Sequence, residues 1–156
     1  MKEYNPDFSD LIKQGSLKEE KKIGQDQIMK LLNRAKKDLQ TAKTLLDDDE
    51  AVSMTMVYDA MFHSANALIR LYNLRPGKVR QHIGLIEATG RILGKEVKDY
   101  IFRFDKLRIK RNQFEYQAIF DFSRIQIENN LIEAEKFVDI IEKFITAKIN
   151  QQSFNI

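Results

Sequence analysis

The stretch AVSMTMVYDAMFHSANALIRLYN, residues 51–73, decides how this chain folds. Met54, Val57, Met61, Ser64, Leu68 and Leu71 recur at spacings of three and four, the stripe of one α-helix face rather than the alternation of a strand. Small residues at Ala60, Ser64, Ala65 and Ala67 let a neighbouring helix approach closely. A second line runs along a different face, because Asp59, His63, Asn66 and Arg70 fall at steps of four, three and four. A polar ladder of this kind either lies in solvent with local hydrogen bonds or lines a cleft.

Working outward, the same period appears on both sides. Upstream, Ile28, Leu31, Leu32, Ala35, Leu39, Ala42 and Leu46 define a helix from Gln25 to about Asp47, and the acidic DDDE at 47–50 supplies a turn and an N-terminal cap for the next helix. Downstream, NLRPGK at 73–78 breaks the pattern, since Pro76 lacks a donor and Gly77 relaxes the backbone. A shorter helix is expected over 79–93 with Gly94 as its C-cap, then helices over 95–117 and 122–149 separated by IFDFS. The last of these carries Ile127, Leu131, Ala134, Val138, Ile141 and Ile145. The expected fold is all-α: an antiparallel four-helix up-and-down bundle over residues 25–150, with one short extra helix. Residues 1–24 read as an N-terminal extension that packs one helical turn, through Phe8, Leu11 and Ile12, on the body. Residues 151–156 read as a frayed tail.

Composition narrows the chemistry. At 156 residues, with 43% hydrophobic and 31% charged residues, the chain suits one domain with solvated helix faces. Six Gly and two Pro are too few for the turns of an all-β fold. The absence of cysteine removes disulfides, thiolate nucleophiles and cysteine-ligated metals, and two histidines, His63 and His82, cannot build a histidine-rich metal site within one chain. No metal or cofactor is therefore expected. MKEYNPDFSDLIKQG lacks the apolar run of a signal peptide and no stretch approaches a membrane span, so the expectation is a cytoplasmic protein. The net charge of +3 is small but unevenly spread. Arg103, Lys106, Arg108, Lys110 and Arg111 crowd one segment, and Arg75, Lys78 and Arg80 precede His82; such local potential attracts phosphate or is simply a solvated face.

KLRIKRNQFEYQ, residues 106–117, breaks the core pattern at one position. Val97, Tyr100, Phe104 and Leu107 form a stripe that Phe114 resumes, and Arg111 stands where the next apolar residue belongs. An arginine there must be paired, solvated in a cleft or placed at an interface. Asp59 and Glu115 are its candidate partners in a purely structural role. Asn112 and Tyr116 add polar groups to the same turn, although Tyr116, five residues on, points away from Arg111 along a regular helix. Cleavage of RNA through its 2′-hydroxyl needs a base near the working pH and a cation at phosphorus, and His63 and His82 are the available imidazoles.

AKKDLQTAKTLL followed by YDAMFHSANALIRLYNLRP resembles the HEPN superfamily (higher eukaryotes and prokaryotes nucleotide-binding), among them members whose second helix reads approximately YYAMFHAARALL. A later helix in these families carries an arginine, often followed by a polar residue, and His or Tyr four to six positions on; RNQFEY, with Arg111, Asn112, Glu115 and Tyr116, matches that element. The resemblance spans about residues 30–145. It implies a homodimeric bundle that binds RNA or nucleotide, often beside a minimal nucleotidyltransferase in toxin–antitoxin or defence loci, with Arg111 facing a cleft. Arg111, Asn112, Glu115, Tyr116, Asp59 and Arg108 would form the binding site. Many HEPN proteins are metal-independent RNases that pair Arg with His; here Tyr116 stands at the His position, and a phenol with pKa near 10 is a poor base at neutral pH. The expectation is a binding protein with at most weak ribonuclease activity, Arg111, Tyr116 and His63 being the candidate catalytic groups. The alternatives are a metal-independent endoribonuclease in which His63 or His82 replaces the motif histidine, and a non-catalytic interaction bundle with a structural arginine. The apolar stripes are used within one chain and leave no surplus for a dimer.

Overall fold

One helix, Glu50–Arg70, touches nearly every other part of the molecule. In the computed structural model, which describes residues 5–21 and 24–154, the order is α1 (Ser9–Lys13), β1 (Leu17–Glu19), α2 (Gln25–Leu45), α3 (Glu50–Arg70), β2 (Leu74–Pro76), α4 (Gln81–Leu93), a 3₁₀ turn at Lys95–Val97, α5 (Lys98–Gln117) and α6 (Arg124–Phe154). The described residues are mostly helical, with one two-stranded sheet. α3 packs against α2, α4, α5 and α6. That centrality explains its composition: Met54, Val57, Met61, Ser64 and Leu68 are buried as the stripe requires, and so are Tyr58, Ala60, Ala65, Ala67 and Ile69.

The start of α3 is set by Asp49, whose side chain accepts a hydrogen bond from the Val52 N–H at 3.1 Å, an N-cap from the acidic turn. Ser53 donates to the Ala42 carbonyl at 2.7 Å, closing α2 and α3 into a helical hairpin. α6 lies along α2 in the opposite direction, since Lys43 meets Glu135 at 2.7 Å and, two turns away, Lys36 meets Glu142. Ile127, Leu131, Ala134, Val138, Ile141 and Ile145 are buried as their spacing predicts, with Phe137 beside them. Tyr58, Phe104 and Phe137 are buried in a chain of rings 5.5 and 5.7 Å apart. Such pairs add about 0.5–1.5 kcal/mol each beyond the area they bury.

Two local features, a short β-pairing and the end of the last helix, depart from the sequence reading. Residues 17–19 form a strand that pairs antiparallel with residues 74–76, Leu17 opposite Pro76, so NLRPGK both ends α3 and contributes β2. Two glycines permit the close approach this needs: a Cβ on Gly84 would lie 2.5 Å from the Ser16 Cβ, and one on Gly77 2.0 Å from the Gly15 carbonyl oxygen. α1 is held to α4 by Arg91, which donates to both carboxylate oxygens of Asp10 at 2.7 Å and lowers its pKa to about 2. Finally, α6 continues to Phe154, beyond the expected end near 149. No helix among the described residues is long and apolar enough to cross a membrane.

Candidate functional site

The polar ladder of α3 is half-buried, with α2 on one side and α4 and α5 on the other. Each rung finds a different partner. Asp59 lies 3.9 Å from Nε of Arg111 on α5. His63 Nδ1 lies 2.6 Å from Oδ2 of Asp38 on α2. Arg70 bonds Asn66 at 3.2 Å and Glu20 just after β1.

Arg111 answers the question its position raises. It is neither sealed in the core nor free in solvent: its side chain is 22% exposed. Nη2 meets Glu115 at 3.0 Å, and the guanidinium carbon sits 5.5 Å from the centre of the Tyr58 ring, a cation–π contact. Nε is buried with no hydrogen-bond partner, because 3.9 Å to Asp59 is too long for one. A buried donor left over in this way costs free energy that a paired one does not. Burial raises the pKa of Asp59, and Arg111 counteracts part of that rise.

The group that sequence spacing could not place is His82. It comes from the first turn of α4, and the packing of α4 on α3 brings it to the same ring that Arg111 covers: Tyr58 OH and His82 Nδ1 are 2.6 Å apart. The imidazole also packs 4.7 Å from Phe62. Burial lowers the pKa of His82, and the nearby charges of Arg111 and then Arg108 lower it further against an opposing effect of Glu115. Burial raises the pKa of Tyr58, so its hydroxyl stays protonated.

Asp38 escaped the sequence reading although a signal was there. It lies three residues after Ala35 and four before Ala42, inside the apolar stripe of α2, the same anomaly that marked Arg111. It is buried, its Oδ1 accepts from Nε and Nη2 of Arg34 at 2.8 and 2.6 Å, and its Oδ2 faces His63.

Of the residues named from sequence, Arg111, Asp59 and Glu115 are brought together, with His63 one turn from Asp59. Arg108 is half-buried and bonded to Asp105 at 2.8 Å. Asn112 is half-buried but engages none of these groups. Tyr116 is 82% exposed and points away, as its five-residue offset from Arg111 requires. No group of three or more metal-ligating side chains occurs among the described residues.

The expectation that no apolar surface is left over is corrected by the structure. Phe102, Ile109 and Tyr116 on α5, and Ile125 and Ile132 on α6, are all exposed and spaced by seven within each helix. The Phe102 and Ile109 side chains, with Arg103, Lys106 and Lys110, line an open groove of about 900 Å³ between α5 and α6. The core stripe filled the apolar positions facing inward, and this second stripe lies on the outer side of the same helices.

A family model described as the HEPN domain matches residues 28–150. The chain belongs to the HEPN family. No curated protein matches it significantly. In this HEPN chain the arginine of RNQFEY and the α4 imidazole pack on the same Tyr58 ring.

Proposed function

We propose that this HEPN protein binds RNA or nucleotides along the polar ladder of α3, with Arg111 as the phosphate-holding group. The observation that supports this reading is the unpartnered Nε of Arg111, on a guanidinium that lies over the Tyr58 ring and pairs with Glu115. Glu115 and Asp59 offset much of its charge, so affinity rests on directed donors more than on bulk potential and is modest. The bundle is of the four-helix up-and-down kind, formed by α2, α3, α5 and α6. It acts as a cytoplasmic homodimer, for which the seven-residue apolar spacing on α5 and α6 supplies a self-complementary helical face. A minimal nucleotidyltransferase is its partner in a toxin–antitoxin or defence module, and any ribonuclease activity is weak and metal-independent.

The test is fluorescence anisotropy with labelled single-stranded RNA, alongside thermal melting. Arg111→Ala should weaken binding roughly tenfold or more, the loss of a charge-assisted contact, while the protein stays folded. Unchanged binding removes the assignment. A second reading is favoured by the Glu115 pairing at 3.0 Å: a structural arginine in an interaction bundle. Under it, Arg111→Ala lowers the melting temperature by several degrees and wild type shows no RNA binding to lose.

A further inference from the structure

The groove between α5 and α6 carries positive charge that the chain itself does not neutralise. The two helices run antiparallel: Tyr100 lies 6.1 Å from Phe137, Arg103 donates to Asn130 at 2.7 Å, and Lys110 meets Asp121, just before α6, at 3.5 Å. This register sets the two exposed stripes level, Phe102 with Ile132 and Ile109 with Ile125. Phe102 and Ile109 line the groove on the α5 side. Ile125 and Ile132 stand four residues before and three after Asn129, which lines it on the α6 side, so they share its helix face. A repeat of seven on both walls is what a third helix laid along the seam requires, with apolar side chains to meet at each second turn. From Phe102 to Tyr116 the stripe is about 21 Å long.

Charge decides what kind of helix fits. Arg103 spends its hydrogen bond on a neutral amide, and Lys106 sits 5.0 Å from the centre of the Phe102 ring; neither has a carboxylate within ion-pair distance among the described residues. The acids nearby are mostly taken. Asp121 pairs with Lys110, and Glu128 and Glu133 of α6 pair with Arg124 and Lys136 of their own helix, which leaves Asp99 at the groove. Two copies meeting through this face on a two-fold axis would present the same positive excess to each other, whereas a helix edged with carboxylates would cover the same apolar side chains and neutralise it. We propose that an acidic amphipathic helix of a partner protein docks along the α5–α6 groove and displaces the second copy. The inference rests on that face being where two copies meet.

The experiment uses the full chain and two fluorescent helical peptides of about 20 residues, both with leucine at every seventh position and its neighbour three or four residues on, one flanked by glutamates and the other by lysines. Anisotropy reads binding and sedimentation velocity reads the number of copies. The glutamate peptide should bind at least about tenfold more tightly than the lysine peptide and convert paired chains into one-to-one complexes. Lys106→Glu, at an exposed position, should shrink or reverse that preference, and Ile109→Asp should abolish binding of the glutamate peptide in a chain that circular dichroism shows to be helical. Equal binding of the two peptides overturns the inference, as does a preference that survives Lys106→Glu. Glutamate-peptide binding that leaves the chains paired also sinks it, because the peptide then sits elsewhere. If single-stranded RNA, rather than the glutamate peptide, separates the copies and Lys106→Glu prevents it, the groove belongs to a nucleic acid. A chain that sediments as one copy with no peptide present removes the paired-copy reading and the competition with it, whereas paired chains that neither peptide separates remove the competition alone.

Discussion

His63 and His82 touch the same phenylalanine and differ in what each is bonded to. A buried carboxylate backs His63, and a buried phenol backs His82. The carboxylate accepts and the phenol has a proton to give, so the two imidazoles are held through Nδ1 in opposite senses. The difference teaches that the tautomer of a histidine in this fold is set from beneath, by buried residues of α2 and α3.

Removing the deeper residues should break the comparison. The largest effect is expected for Asp38→Ala, which strips a buried acceptor from both Arg34 and His63. Arg34 is half exposed and its half of the interaction is discounted accordingly, leaving a loss of about 2 kcal/mol in chemical denaturation. A loss below about 0.5 kcal/mol would show that the pair is not coupled in solution. Tyr58→Phe is milder. It keeps the ring that Arg111 and Phe104 pack on and removes only the hydroxyl, costing about 1 kcal/mol. Freed from Tyr58, His82 can change tautomer, which nitrogen-15 NMR of the imidazole reads directly; an unchanged proton position would show that Tyr58 does not control it.

The smallest effect is a pH dependence that sharpens the contrast. The folded pKa of His82 lies below its unfolded value of about 6.5, so the unfolded chain binds more protons in that window. The stability associated with neutral His82 is present above that value and is lost as pH falls through about 6.5 toward the folded pKa. Melting temperatures measured from pH 7.5 to 5.5 should therefore decline less for His82→Gln than for wild type, and a steeper decline in the variant would contradict the burial argument.

Much of the fold was legible because it is written locally. Spacings of three and four located each long helix, the acidic turn located the Asp49 cap, and Arg111 announced itself by interrupting a stripe. Asp38 was legible by the same rule and was passed over. His82 was not legible: its place beside Tyr58 depends on how α4 packs on α3, a tertiary fact with no spacing to betray it. The outward stripe of Phe102, Ile109 and Tyr116 was hidden for another reason, since a hydrophobic count along α5 does not say which of two faces is already occupied. Three-residue strands such as β1 and β2 are too short to display a period, and their pairing joins segments distant in the chain.

That pairing also orders events in time. β1 leaves the ribosome with nothing to pair with, because its partner follows the whole of α2 and α3, and synthesis at about 5–20 residues per second makes the wait several seconds. Phe8, Leu11 and Leu17, which precede α2 in the chain, belong to the same final core. β1 is thus made before the helices and settles after them, a clasp fastened only once the helices it secures are in place.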